Sequence, residues 1–209
     1  MSSENPKRAY RMRRRAELQE QTRLRITEAA VELHGTLGPA RTSVTAVAER
    51  AGVERATVYR HFPDERALFL ACSGHWRAVN PAPDLAAWAA VADPEVRLRQ
   101  GLAELYAFYG RTEPMLVNLH RDETVVPMVA ELMAGGFRVF LGAALDTLLR
   151  GRGERGRARR EVQAALGHAV SFTTWSSLVR AEGLDEEQAV RLMCGLVAAA
   201  GTPAPRTRG

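Results

Sequence analysis

Within two turns of chain, residues 55 to 61 set out Arg55, Thr57, Tyr59, Arg60 and His61. A guanidinium can pair bidentately with guanine, and hydroxyl, phenol and imidazole groups can bind base edges or phosphate oxygens. Glu54 opens the run and no further acid lies on that face. Its carboxylate either repels phosphate or accepts from a cytosine amino group. Such a set needs a rigid carrier, and Val58 and Phe62 give it one apolar side, as on a helix. A second helix must hold this one. Ser43 is a good N-cap, and Val44, Val47 and Ala48 form one apolar stripe behind it. Gly52 supplies the left-handed residue that ends this helix, and Val53 turns the chain back to the core. The stretch from Thr42 to Leu68 is therefore predicted as a helix-turn-helix whose second helix fits a DNA groove. Arg55 and Thr57 are assigned to base edges, and Ser43, Tyr59, Arg60 and His61 to phosphates. Thr45 touches the backbone from the first helix of the pair.

Charge supports that reading. Residues 1 to 80 hold 14 Lys/Arg against 9 Asp/Glu, whereas residues 81 to 209 hold 15 of each. The excess sits with the helix-turn-helix, as a polyanion-binding module requires. Lys7, Arg8, Arg11, Arg13, Arg14 and Arg15 form a basic arm over 1–19, expected to be flexible without DNA and to serve the phosphate field or the minor groove. No apolar stretch follows it as in a secretion signal, and no run is read as a membrane span of ~18 apolar residues. Cys72 and Cys194 make no disulfide framework, which suits a reducing cytoplasm. Cys72 and His75 lack a second ligand pair, so no metal is expected. No nucleophile is paired with a base and no phosphate-binding loop is visible, so neither an enzyme nor a cofactor is expected.

Over residues 22 to 70 the chain resembles the tetracycline-repressor (TetR) family of bacterial transcriptional regulators. The resemblance rests on Arg25-Ile26, Ala29-Ala30, Leu33, Gly38, Thr42-Ser43-Val44, Val47-Ala48, Ala51-Gly52-Val53, Thr57, Tyr59, His61-Phe62 and Leu68, with every gap in the family pattern reproduced. His34 stands where the family usually has Phe, and is read as a ring packed at the core edge. Glu54 stands where it has Ser or Thr. Glu65-Arg66 replaces a basic residue followed by Glu, so Arg66 would supply that phosphate contact from one position further on.

The remainder reads as helices without strand alternation, about nine in all. Asp64 caps a fourth helix running to about Val79, and Pro81 and Pro83 mark a boundary. Asp93-Pro94-Glu95 starts a helix to about Tyr109, and Pro114 restarts a short segment. Further helices are expected over 125–149, 158–181 and 185–200, with GRGERGR at 151–157 as a solvated loop. The expected class is all-α. A three-helix DNA-binding domain with its linking fourth helix spans 20–80, a ligand-binding and dimerisation domain spans 81–202, and the tail 203–209 is disordered.

Small residues with a few large anchors favour helix–helix contact. The resemblance implies that the last two helices form a four-helix dimer interface through Ala164, Gly167, Ser171, Trp175, Leu192, Met193 and Leu196. It also implies a small-molecule pocket in the second domain. Candidate walls are Trp88, Leu105, Phe108, Met115, Met128 and Phe137, with Phe140, Phe172 and Trp175. His120 and Tyr109 are the polar handles, and Asn118 and Arg121 would orient a polar group. The resulting expectation is a cytoplasmic homodimeric repressor that binds a palindromic duplex operator and is released by a largely apolar effector. The alternative is a constitutive or architectural DNA-binding protein without an effector.

Overall fold

The computed structural model describes residues 6–202; residues 1–5 of the arm, the side chains of Lys7 and Arg8, and the tail 203–209 lie outside the described residues. Among the described residues there are ten α-helices and no strand, so the fold is all-α as expected. They are α1 (Pro6–Thr36), α2 (Val44–Ala51), α3 (Arg55–His61), α4 (Glu65–Val79), α5 (Leu85–Ala90), α6 (Pro94–Asp122), α7 (Pro127–Leu149), α8 (Gly156–Ala169), α9 (172–181) and α10 (Glu186–Gly201). A single 3-10 turn, Pro39–Arg41, precedes α2.

The chain forms two compact units. Of the described residues, 6–81 and 117–130 make the first, and 82–116 and 131–202 the second. Helix α6 contributes to both, with its residues from Val117 onward counted in the first unit.

In the first unit α1 packs on α2 and α4, and α2 on α3. Ile26, Ala30, Val47, Val58 and Phe62 are essentially buried there, as the apolar stripes require. Local hydrogen bonds set the helix ends. Ser43 Oγ accepts from Ala46 N at 3.1 Å, and Asp64 Oδ1 accepts from Ala67 N at 2.7 Å. Gly52 adopts φ 65°, ψ 41° and closes α2 through its N–H, a conformation a Cβ would strain. Helix α1 differs from expectation. The basic arm does not precede it as a separate flexible segment, because Pro6–Thr36 is one 31-residue helix.

Two further differences lie in the remaining helices. Pro114 does not restart a segment but sits inside α6. A mid-helix proline costs about 3 kcal/mol, and the buried stripe from Leu102, Leu105 and Tyr109 on one side to Met115, Leu116 and Leu119 on the other offsets it. Helix α7 is long and apolar enough, by length and composition alone, to cross a membrane, a run that the sequence reading did not recognise. Glu131, Arg138 and Asp146 interrupt it, and its C-terminal half packs on α5 and α8.

In the second unit Trp88, Leu98, Leu102, Leu148, Val162 and Leu166 are fully buried. Gly101 permits a close approach there, since a Cβ would come within 3.1 Å of the Trp88 ring. The expected 158–181 helix ends at Ala169 and resumes at Phe172. The Gly/Arg loop is not wholly solvated either. Only 3% of the Arg152 side chain is exposed, and it bonds Glu95 Oε1 at 2.7 Å and Leu148 O at 3.1 Å.

Candidate nucleic-acid interface and effector region

Helix α3 buries Val58 and leaves Arg55, Tyr59 and Arg60 exposed, with Thr57 and His61 partly so. Two pairs stiffen the exposed face. Arg55 Nη2 donates to Tyr59 Oη at 3.4 Å with its guanidinium 5.6 Å from the ring centroid, and Arg60 Nη2 donates to Thr57 Oγ1 at 2.8 Å. The phenolic partner raises the Arg55 pKa, so the group stays charged at any working pH. Glu54 is the exposed N-cap residue, but its carboxylate makes no capping bond. Ser43 and Thr45 are exposed on and before α2, and Arg66 is exposed on α4. One supporting residue escaped sequence reading. Arg23 of α1 donates through Nη1 to His61 O at 2.7 Å and stacks 4.2 Å over the Phe62 ring, fastening the C-terminal end of α3. Arg23 lies in line with the buried Ile26, Thr27 and Ala30 at i+3, i+4 and i+7, and that spacing was the signal that it faces the core.

Behind this face His34 Nδ1 lies 3.4 Å from Cys72 Sγ, and its ring packs against Phe69. Burial pushes the Cys72 thiol up to about 12 and the His34 imidazole down to about 4. Both are neutral near pH 7, so this is a packed polar pair rather than a thiolate nucleophile.

Residues 26–72 match the profile of the family described as bacterial regulatory proteins, tetR family. The matched segment runs from the buried stripe of α1 through α2 and α3 into α4. Its α2 and α3 are the helix-turn-helix of that profile. Solved structures share its fold. A TetR-like transcriptional regulator from Rhodococcus sp. RHA1 is 20% identical, with 88% of this chain and 97% of that one covered and a TM-score of 0.61. A second transcriptional regulator from Rhodococcus sp. Rha1 is 19% identical over 88% and 99%, with a TM-score of 0.58. The multidrug binding protein EbrR, complexed with imidazole, is 23% identical over 90% and 93%, with a TM-score of 0.51. No curated protein sequence matches the chain.

The second unit gathers five of the eleven expected pocket residues into an aromatic cluster. Tyr109 meets Phe172 at 5.4 Å, Trp175 at 6.0 Å, Phe108 at 6.1 Å and Phe137 at 6.3 Å between centroids. Leu105 and Met115 are buried, and Phe140 is partly exposed. Tyr109 is no free polar handle, because its hydroxyl donates to Val170 O at 2.6 Å and burial raises its pKa. Trp88 is likewise spent, donating Nε1–H to Glu104 Oε2 at 2.6 Å. Trp175 Nε1 is buried and has no hydrogen-bond partner among the described residues. The cluster adjoins two wide i→i+5 turns, residues 133–137 carrying Phe137 and 177–181 following Trp175. Such turns mark locally adjusted helices and are frequent at functional sites.

Other expected pocket residues do other work. His120 and Met128 belong to the first unit. Asn118 and Arg121 bond backbone carbonyls of the first unit. Asn118 Nδ2 donates to His34 O at 2.9 Å and Gly35 O at 2.8 Å, and Arg121 Nη2 donates to Leu37 O at 2.8 Å. Asp122 Oδ2 accepts from Ala40 N at 2.9 Å, and the Arg121 guanidinium beside it holds its carboxyl below the usual carboxylate range. Within the first unit the end of α6 thus satisfies carbonyls that α1 leaves open at its C-terminus.

The dimer residues divide. Trp175 and Met193 are buried inside the second unit, so they serve its core. Apolar periodicity cannot separate the two uses. Ala164, Leu192 and Leu196 are exposed, while Gly167 and Ser171 are partly covered.

Proposed function

We propose that the protein is a cytoplasmic homodimeric repressor that binds a palindromic duplex operator and is released by a small, largely apolar effector. The observation that carries this reading is the α3 face, where two arginines are held extended by Tyr59 and Thr57 beside a buried apolar side. Arg55 and Thr57 address base edges in the major groove. Ser43, Thr45, Tyr59, Arg60, His61 and Arg66 address the backbone, and Glu54 accepts from a cytosine amino group. One helix of this length reads few bases, so two-fold pairing supplies the second half-site, about 34–36 Å away. Exposed Leu192 and Leu196, one turn apart on α10, with Ala164 on α8, support pairing through these two helices.

The aromatic cluster supports an effector site because it joins apolar walls to one unused donor, Trp175 Nε1. EbrR, a protein of the same fold, is described as multidrug binding. Helix α6 is the element through which such a ligand acts. Leu105, Phe108 and Tyr109 lie along it, and its last turn is bonded to the segment that leads into α2. A ligand shifts the balance only by binding two conformers with different affinity.

Binding of Arg55→Ala and Arg60→Ala to selected duplexes over a range of salt tests the assignment of faces. Arg55→Ala relaxes preference at one base step, by about 1–3 kcal/mol. Arg60→Ala weakens all sequences alike and flattens the salt slope by about 2, one contact being lost from each subunit of the dimer. Two variants indistinguishable from the parent would refute the reading.

A further inference from the structure

Helix α1 begins well before the core it serves. Its first buried residue is Ile26, and residues 10–25 are exposed or only partly covered. These sixteen residues span about 24 Å at the helical rise. They carry six arginines against two glutamates and no continuous apolar stripe. A helix of that kind gains little from packing in the free protein.

One side of this helix is nevertheless a wall. Between α1 and α3 lies a cleft of about 940 Å³, bounded by Arg15, Gln19, Thr22 and Arg25 on α1 and by Thr57 and Arg60 on α3. Arg23 and His61 join the two walls through the bond from Arg23 Nη1 to His61 O. Glu20 is the one acid of the lining. Arg15 and Arg25 make no hydrogen bond or ion pair with other described residues, so their charge is uncommitted. Arg13 and Arg14 do not line the cleft.

Resting on the reading of α3 as the groove-entering helix, we propose that this cleft seats one strand of the duplex's sugar–phosphate backbone, with Arg15, Arg25 and Arg60 as its phosphate-binding groups. The strand is the one bordering the major groove that α3 enters, because Thr57 and Arg60 belong to both the helix and the cleft wall. The helical state of α1 also decides against the minor groove. An α-helix with side chains is about 10–12 Å across, whereas the minor groove of B-DNA is about 6 Å wide. Arginines on this rod meet phosphates at the groove edge and read no bases. The extension therefore adds affinity without sequence preference.

The test compares two double variants that remove equal charge: Arg15→Ala with Arg25→Ala in the cleft, and Arg13→Ala with Arg14→Ala outside it. Full-length protein is titrated against a labelled duplex of arbitrary sequence and the duplex recovered by selection, by anisotropy at several salt concentrations. Circular dichroism checks that α1 stays helical, and Arg15→Lys with Arg25→Lys restores charge where the alanine pair is ill-folded. The cleft pair is expected to flatten the salt slope by about 2 per subunit, hence about 4 for the dimer, on both duplexes, because each lost phosphate contact removes about 0.9. The outer pair and the lysine pair are expected to keep a slope near the parent's. Equal flattening by both alanine pairs, no flattening by the cleft pair, or a changed preference for A·T flanks would overturn the proposal. A parent that binds neither duplex would instead overturn the DNA-reading assignment on which it rests.

Discussion

Replacing His34 by Phe should remove a defined part of the acid sensitivity of this protein. The imidazole sits against Phe69 and Cys72, and burial lowers its pKa to about 4. In the unfolded chain it titrates near ~6.5. A group whose folded pKa is depressed binds more protons when unfolded, so its contribution is present above pH ~6.5 and is lost as pH falls towards ~4. At pH ~5 the unfolded ring is nearly all protonated and the folded ring about one-tenth so, which amounts to about 2 kcal/mol relative to pH ~8. Because the ring is only partly shielded from solvent, that figure is an upper one. Urea unfolding of parent and His34→Phe from pH 8 to 5 isolates the effect, since the carboxylates are common to both. The parent should lose about 1–2 kcal/mol more than the variant over this interval. An identical loss in the two proteins would refute the assignment of a neutral, packed His34.

Two further outcomes follow from the geometry. Asn118→Ala removes two hydrogen bonds to α1 carbonyls and should lower stability by about 1–3 kcal/mol, read as a lower Tm, and should also change how strongly any effector alters operator binding. Leu192→Glu with Leu196→Glu should dissociate the proposed dimer in sedimentation and weaken operator binding. Monomer stability should change by less than about 0.5 kcal/mol per site, because both side chains are exposed.

What was legible in the sequence was local. Ser43, Gly52 and Asp64 set helix ends through bonds to residues three or four positions away, and those bonds exist wherever the chain folds. The stripe of Val44, Val47 and Ala48 likewise needs only its own periodicity. What was not legible depends on partners far along the chain. Asn118 has the composition of a ligand-binding residue, yet its amide is engaged by carbonyls 83 and 84 residues away. Tyr109 resembles a pocket handle until Val170 O, 61 residues on, accepts the hydrogen bond of its hydroxyl. Trp175 and Met193 fit an interface and a core equally well by spacing, and burial assigns them to the core. Pro114 argues for a break on local grounds, and only the packing on both sides of it keeps α6 whole.

The central claim is that two copies of α3 read one operator. Selection of duplexes bound by the full-length protein from a random pool tests it directly. The account predicts an inverted repeat whose half-site centres lie one turn of B-DNA apart, about 34–36 Å, or a multiple of that. A single unpaired motif, or no enrichment above the starting pool, would contradict it.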